Sequence, residues 1–192
     1  MKTPFLSLLC WATLLSAASV RAEEPAKPAA PKPAEDLTMI VDLRNSPPDI
    51  FQYGTWSGKL AVSKAGLVVQ GAKGAQGEGG FGQKLSERID LSQATYIEVA
   101  LGVVPGNEVP KVTIALDDID GTQYTAQINI DQIVPGMPVW LRAKRDDFRL
   151  NNTQRGADSL MDWSKIQQWH LQGDWNTKKP LSVAFIALRE RR

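Results

Sequence analysis

The chain has 192 residues, of which 43% are hydrophobic and 22% are charged, and it contains one Cys and one His. Only one stretch, near the N terminus, is continuously apolar, which excludes a bundle of membrane-spanning helices. The aromatic and β-branched content excludes disorder throughout. A formal charge of +1, from 22 basic and 21 acidic side chains, argues against a nucleic-acid binder.

The first 22 residues have the pattern of an export signal. Lys2 supplies the positive end, residues 5–15 form a short apolar run, and the small residues that follow predict cleavage after Ala22. The alternative is an uncleaved anchor, for which the run is short. Cys10 follows the bulky Leu9, which argues against lipid attachment. We therefore expect an exported, periplasmic or extracellular chain that is at most peripheral to a membrane and has no disulfide.

Residues 23–36 predict a linker. They contain four Pro, four Ala and six charged residues and no large apolar side chain, so they have nothing to bury. We interpret them as an extended, partly polyproline-II spacer, with a Pro-rich ligand for a partner as the alternative. The sequence thus predicts a signal peptide over 1–22, a linker over 23–36 and one domain over 37–192.

Beyond the linker, apolar and polar residues alternate in short runs that end at turn residues. This pattern predicts eight strands and an antiparallel sandwich or barrel. The predicted strands are Thr38 to Leu43, Gly66 to Gln70, Thr95 to Leu101, Lys111 to Asp117, Thr122 to Ile130, Val139 to Lys144, Gln168 to Gln172 and Leu181 to Leu188. Asp162 to Gln168 is predicted to be a short helix.

One hairpin is predicted in detail. Asp118 to Gly121 ends in Asp-Gly between two alternating runs, which is typical of a tight hairpin turn. Two further reversals are predicted at Pro105-Gly106 and Pro135-Gly136. The side chains expected to face the core from the two strands of the hairpin are Val112, Ile114 and Leu116, and Tyr124, Ala126, Ile128 and Ile130.

A series of short motifs resembles the galactose-binding-like jelly rolls. The chain is similar to carbohydrate-binding module family eleven and to the complex I intermediate-associated protein family. The motifs are Gly79 to Gly82, Ile89 to Ser92 leading into Tyr96 to Val99, Asp118 to Gly121, Pro135 to Trp140, Asp146 to Phe148 and Trp163 to Ile166. The resemblance covers roughly residues 58–188 and implies an all-β jelly roll that binds sugar along a concave sheet face bearing tyrosines. It also implies a structural calcium, for which the sequence offers Asp42 early but little beyond Glu190 late; we therefore predict no cofactor.

Catalytic and nucleotide-binding sites are not expected. Gly77 to Gly82 matches G-x-G-x-x-G, but no βαβ unit surrounds it, so we interpret it as a loop entering a strand where backbones pack closely. His170 alternates with large apolar neighbours and is expected to be a solvated histidine pointing away from the core. The Asp residues near 117–120 and 146–147 are expected to close turns, because two carboxylates in one turn cannot face each other across a cleft.

The aromatic residues divide into core anchors and ligand candidates. Trp140, Trp163 and Trp169 are expected to pack in the core. Trp56 and Trp175 lie in predicted loops among small and polar neighbours, and with Tyr53 they are candidates for stacking against sugar rings.

A polar sheet face is the second candidate surface. In jelly-roll order it would bring together Glu98, Thr113, Asp117, Gln127, Asn129, Arg142, Lys144, His170 and Gln172, without an aromatic residue. The ligand-binding candidates are therefore Trp56, Trp175, Tyr53, Asp117, Gln127, Asn129, Arg142, His170 and Gln172. The alternative is an ordinary solvated face.

The sequence therefore predicts an exported, monomeric, non-catalytic binding module with a polysaccharide or glycan as its partner. The alternative is a protein-interaction or structural module of a cell-envelope assembly. A small glycan-active hydrolase is a third, weaker hypothesis, because the chain lacks a recognisable catalytic constellation.

Overall fold

The computed structural model describes residues 36–44, 49–54, 59–70, 79–172 and 181–192. In these ranges the chain forms twelve strands and one short 3-10 turn, Arg145–Asp147. The strands are β1 (Leu37–Asp42), β2 (Phe51–Gly54), β3 (Lys59–Ser63), β4 (Gly66–Gln70), β5 (Gly79–Ile89), β6 (Tyr96–Val103), β7 (Lys111–Asp118), β8 (Thr122–Asn129), β9 (Val139–Lys144), β10 (Arg149–Thr153), β11 (Ile166–Gln172) and β12 (Ser182–Arg191). No helix within these ranges is long and apolar enough to cross a membrane.

The strands form two antiparallel sheets. The first sheet has the order β3-β4-β12-β6-β9, with β1 also paired to β12, and the second has the order β10-β8-β7-β11-β5-β2. Apart from the hairpins β3-β4 and β7-β8, the paired strands are not consecutive in the chain, so most of the architecture depends on non-local pairing. The predicted all-β sandwich is confirmed.

All eight predicted strands are present; β4 and β9 have the predicted bounds, and the ends of the other six differ by at most three residues. The four strands without a prediction are β2, β3, β5 and β10. Three of them, β2, β3 and β10, lie at sheet edges, where a strand buries few side chains and shows weak alternation. β5 begins with Gly-Gly-Phe-Gly and continues with charged residues, a composition that is poor in strand formers.

The predicted helix from Asp162 to Gln168 is wrong. The chain makes a turn in which the Asp162 carboxylate accepts hydrogen bonds from the Ser164 backbone and hydroxyl at 3.1 and 2.6 Å. β11 then begins at Ile166, and its pairing shifts between Ile166 and Gln168. This bulge separates the buried side chains of Ile166 and Trp169 by three residues instead of two or four, which imitates helical spacing.

The core lies between the two sheets. The predicted core residues of β7 are at most 1% exposed, and Ala126, Ile128 and Ile130 are also buried, so the predicted inward face of the hairpin is confirmed. Trp169 packs in the core as predicted, stacked on Phe185 at 5.0 Å between ring centroids and edge-on to Phe81 at 6.5 Å. Because Trp169 points inward, its strand neighbours His170 and Gln168 point to the outer surface.

The predicted hairpin turn is also confirmed. Gly121 has φ of +90°, a conformation in which a side chain would be strained, and its N–H donates to the Asp118 carbonyl. Gly106 and Gly136 have φ of +94° and +84° at the other two predicted reversals.

Candidate functional site

The outer face of the second sheet is a continuous polar surface. Because side chains alternate along each strand, the register of β2, β5, β11, β7 and β8 decides which residues are neighbours there. The residues brought together are Phe51 and Tyr53 of β2, Gly80, Gly82 and Lys84 of β5, Gln168, His170 and Gln172 of β11, Lys111, Thr113, Ala115 and Asp117 of β7, and Gln123, Thr125 and Gln127 of β8. We call this set the amide face.

Asp117 is the centre of a hydrogen-bond network on the amide face. Its Oδ2 accepts from His170 Nε2 at 3.0 Å and from Gln168 Nε2 at 3.0 Å, and its Oδ1 accepts from Gln123 Nε2 at 2.8 Å. The Gln123 Oε1 in turn accepts from Asn151 Nδ2 at 2.7 Å. The three donors lie on β11 and β8 and the carboxylate lies on β7, so these hydrogen bonds hold side chains of three neighbouring strands in fixed positions.

His170 points away from the core, as predicted, but it is not solvated. The residue is only 4% exposed. The His170 ring donates to Asp117 only if its hydrogen is on Nε2. The Gln168 amide nitrogen lies 2.8 Å from Nε2, and because that ring nitrogen is then a donor, the amide donates to Asp117 and not to the ring. Nδ1 is buried without a hydrogen-bond partner among the described residues. The prediction of a solvated histidine is therefore wrong.

Two aromatic rings cover His170. Phe51 and Tyr53 meet the imidazole edge-on, with centroid distances of 5.4 and 5.3 Å. They reach it from the edge strand β2 by crossing β5 at Gly82 and Gly80. The prediction that this face carries no aromatic residue is therefore wrong.

Gly80 and Gly82 make this crossing possible. A Cβ on Gly82 would lie 2.3 Å from the Trp169 carbonyl oxygen and 3.1 Å from Phe51 Cζ, and a Cβ on Gly80 would lie 3.0 Å from the Tyr53 hydroxyl. The close approach predicted for the Gly-rich motif is thus confirmed. The close contacts come from the backbone of β11 and from the rings of Phe51 and Tyr53, which lie across the glycines. Aromatic rings that cover glycines in this way stabilise a sheet.

Tyr53 is tied to the network as well as to the rings. Gln172 Nε2 donates to the Tyr53 hydroxyl at 2.9 Å and lies 3.4 Å from Gln123 Oε1. Both rings on β2 remain partly exposed, and Gln127 and Asn129 of β8 are exposed. The surface thus combines half-buried rings with amide donors and acceptors.

The structure unites part of the predicted polar face and separates the rest. Asp117, Gln127, His170, Gln172 and Tyr53 share the amide face, and Asn129 continues it along β8. Arg142 does not belong there, nor do Glu98 and Lys144, because β6 and β9 lie in the first sheet. Alternation identifies the outward residues of a strand but not the sheet that contains it, which is why this prediction was wrong.

Sequence reasoning missed four members of the site. Phe51 lay in a strand without a prediction, and Gln123, Gln168 and Asn151 were not singled out. The available signal was Phe-Gln-Tyr, in which two aromatic residues two apart must share a face if the segment is a strand.

The tryptophans of the prediction have different outcomes. Trp56 and Trp175 lie outside the described residues. Trp163 packs edge-on against Phe148 at 5.6 Å and Tyr124 at 6.4 Å, as predicted. The prediction of a core position for Trp140 is wrong, because this residue is 38% exposed on the edge strand β9.

The acidic turn between β7 and β8 holds backbone, as predicted. The Asp118 carboxylate accepts from the N–H groups of Thr122 and Asp162, and Asp120 accepts from those of Thr122 and Asp158, all at 2.8 to 3.0 Å. The Asp158 N–H is the main reason that the pKa of Asp120 falls to about 2, whereas burial raises the pKa of Asp118.

The described residues do not fit the calcium that the resemblance implies. The Asp42 carboxylate is bound by the Arg44 guanidinium at 2.9 and 2.5 Å, and the residue paired with Asp42 on β12 is Ala187, which offers no side-chain oxygen. Within the described ranges, His, Cys, Asp and Glu residues form no group of three that could hold a metal ion.

Comparison with known proteins identifies the fold. The sequence matches no protein-family model and no curated protein. Among solved structures, the chain is similar to a family 11 carbohydrate-binding module of the cellulosomal cellulase Lic26A-Cel5E of Clostridium thermocellum, with a TM-score of 0.60, 18% identity, and coverage of 82% of this chain and 95% of the module. The similarity to the complex I intermediate-associated protein family is not shown.

Two further likenesses give the same architecture. A xylan-binding module of family CBM15 has a TM-score of 0.52 and 12% identity, with coverage of 82% of this chain and 97% of that one. The agarase AgWH50C has a TM-score of 0.57 and 12% identity. The match covers 81% of this chain but only 24% of the agarase, so it is to part of that enzyme. Together these likenesses show that the chain has the β-sandwich fold of carbohydrate-binding modules.

Proposed function

We propose that the protein is a non-catalytic carbohydrate-binding module and that the amide face binds a neutral glycan. The observation that carries the proposal is the network of Asp117, Gln123, Gln168 and Gln172 beside two half-buried rings. Amide groups both donate and accept, as sugar hydroxyls do, and an aromatic ring covers the apolar C–H face of a pyranose. The fold shared with carbohydrate-binding modules supports the proposal.

Binding on this face would need little reorganisation. Gln172 and Gln123 are already held by Tyr53 and Asn151, and the rings of Phe51 and Tyr53 are held against His170. Side chains that are fixed before the ligand arrives lose less entropy on binding. A stack on the rings and hydrogen bonds along β11 and β8 would then orient an extended chain.

The chemistry of the amide face favours binding over hydrolysis. Hydrolysis of a glycosidic bond requires two carboxyl groups facing each other across the scissile bond. Among the described residues of the network, Asp117 is the one carboxylate, and both of its oxygens already accept hydrogen bonds. The proposal also includes export, because residues 1–22 have the pattern of an export signal.

Calorimetric titration with mixed-linkage β-glucan, xylan and galactan oligosaccharides tests the proposal. We expect one of these neutral ligands to bind, and we expect Tyr53→Ala and Gln172→Ala to weaken that binding about tenfold each, a loss of about 1.4 kcal/mol. Gln70→Ala, which removes an exposed glutamine from the first sheet, is the matched control and should bind as the wild type does.

Unchanged affinity in both amide-face variants would overturn the assignment of the site. Failure of the wild type to bind any neutral glycan would overturn the function and favour the protein-interaction alternative.

A further inference from the structure

The outer face of the first sheet carries a concentrated positive charge. The register of β9, β6 and β12 places Arg142, Lys144, Arg189 and Arg191 on this face with a single acidic side chain, Glu98. These outward side chains sum to +3, whereas the whole chain has a formal charge of +1. A cluster of one sign favours anionic ligands locally even when the whole molecule is nearly neutral.

An indole is fixed at the edge of this face. The fully buried Glu98 carboxylate accepts from Arg189 Nη2 at 2.6 Å and Nε at 2.7 Å, which holds the guanidinium in one orientation. That guanidinium lies over the Trp140 ring, 3.7 Å from its centroid. Trp140 nevertheless remains 38% exposed, so it is an ordered aromatic surface open to solvent.

A groove of about 300 Å³ lies against this indole. Its floor is apolar, from Ala100 and Ile186, and its rim carries Arg44 and Lys64. Arg44 is balanced by Asp42, whereas Lys64 forms no ion pair with any described residue. The volume is at the lower end of the range for small-molecule sites, and it suits one or two sugar residues better than a protein partner.

We propose that this groove binds an acidic sugar residue, such as a hexuronate of an acidic polysaccharide. The pyranose ring would lie on the part of the Trp140 indole that Arg189 leaves open, and its carboxylate would lie at the Lys64 and Arg44 rim. Lys64 supplies the unbalanced charge, and the apolar floor accepts the C–H face of the sugar. The site is on the opposite sheet from the amide face, so it is independent of the proposed neutral-glycan site.

Titration with a galacturonate trisaccharide, compared with the neutral galactose trisaccharide, tests the proposal. We expect the acidic ligand to bind more tightly than the neutral one and to lose affinity as salt is raised. Trp140→Ala should weaken binding at least about tenfold, and Lys64→Gln about threefold, as expected for an exposed charge. Arg155→Gln removes an exposed positive charge beside the second sheet and should leave the affinity unchanged.

Thermal unfolding of each variant separates loss of the site from loss of the fold. Trp140→Leu serves as a second variant, because it keeps an apolar side chain at this position. The amide-face variants Tyr53→Ala and Gln172→Ala should bind the acidic sugar normally. The proposal would be overturned if the amide-face variants lost binding of the acidic sugar while the Trp140 variants kept it. It would also be overturned if the wild type bound the neutral sugar as tightly as the acidic one, or did not bind the acidic one. Tighter binding of an acidic peptide than of the sugar would assign the groove to a protein partner instead.

Discussion

Glu98 is a buried, ion-paired residue of β6 on the outer face of the first sheet. It is fully buried, and its carboxylate contacts the guanidinium groups of Arg142, Arg189 and Arg191 at 2.6 to 2.8 Å. Burial alone would raise the pKa of this carboxyl, but the hydrogen bonds from Arg191 and Arg189 outweigh burial and hold it below the ordinary value of 4.5. An ion cluster of this kind stabilises the fold only while the carboxylate is charged.

We therefore predict a pH-dependent effect of Glu98→Gln. Near neutral pH it should lower the free energy of unfolding by about 3 kcal/mol, because three buried or half-buried guanidinium groups lose their anion. A lowered pKa stabilises the folded state above the unfolded-state value, and this contribution disappears as the pH falls through the folded-state value. The difference between wild type and variant in urea unfolding should thus shrink as the pH drops below 4.5.

The exposed Glu87 of β5 provides the matched control, and Glu87→Gln should change stability by less than about 0.5 kcal/mol. A Glu98→Gln effect that is the same at about pH 3 as at neutral pH would contradict this explanation.

The contact between β2, β5 and β11 depends on two glycines. The rings of Phe51 and Tyr53 cross β5 only because Gly82 and Gly80 have no side chains. This arrangement connects an edge strand, which buries little by itself, to the network on β11.

Gly82→Ala should therefore destabilise the protein by about 2 kcal/mol, the cost of overpacking a close contact, and should weaken glycan binding by displacing Phe51. Gly102→Ala is the control, because a Cβ at Gly102 would meet Pro138 at an ordinary 3.6 Å. Urea unfolding of the two variants gives the comparison. Equal free energies of unfolding for Gly82→Ala and Gly102→Ala would contradict the prediction and show that β5 tolerates a side chain beneath Phe51.

How well each element could be predicted follows in part from how much of it is buried, although the exposed edge strand β9 was predicted with its exact bounds. β7 and β8 bury one complete face, so Val112, Ile114 and Leu116 showed their alternation directly. β2 and β10 lie at sheet edges, and the bulge in β11 changed the spacing of Ile166 and Trp169, so the local pattern was weak in the first case and misleading in the second.

The candidate site was predicted only in part for a different reason. Tyr53, Asp117, His170 and Gln172 were named from local sequence, and the structure brings them together. Their grouping with Arg142 failed because the order of strands in a sheet is set by non-local pairing. Local alternation contains no information about that order.

The molecule as a whole presents two chemically different faces. The amide face is built around the Asp117 carboxylate and several neutral amides, with Lys84 and Lys111 beside them, whereas the outer face of the first sheet has three guanidinium groups around Glu98. The formal charge of +1, which is summed over the whole sequence, does not show this local grouping of charges. The two proposals together describe a sandwich that binds a neutral glycan on one sheet and an acidic sugar on the other.

The most direct test of the neutral-glycan site is an NMR titration of the 15N-labelled protein with the neutral oligosaccharide that binds best in calorimetry. We expect the largest shifts on the side-chain amides of Gln123, Gln127 and Gln172 and on the backbone of β2 and β11, with Trp140 unaffected. Shifts confined to the first sheet, or to the ends of the sandwich away from these strands, would contradict it.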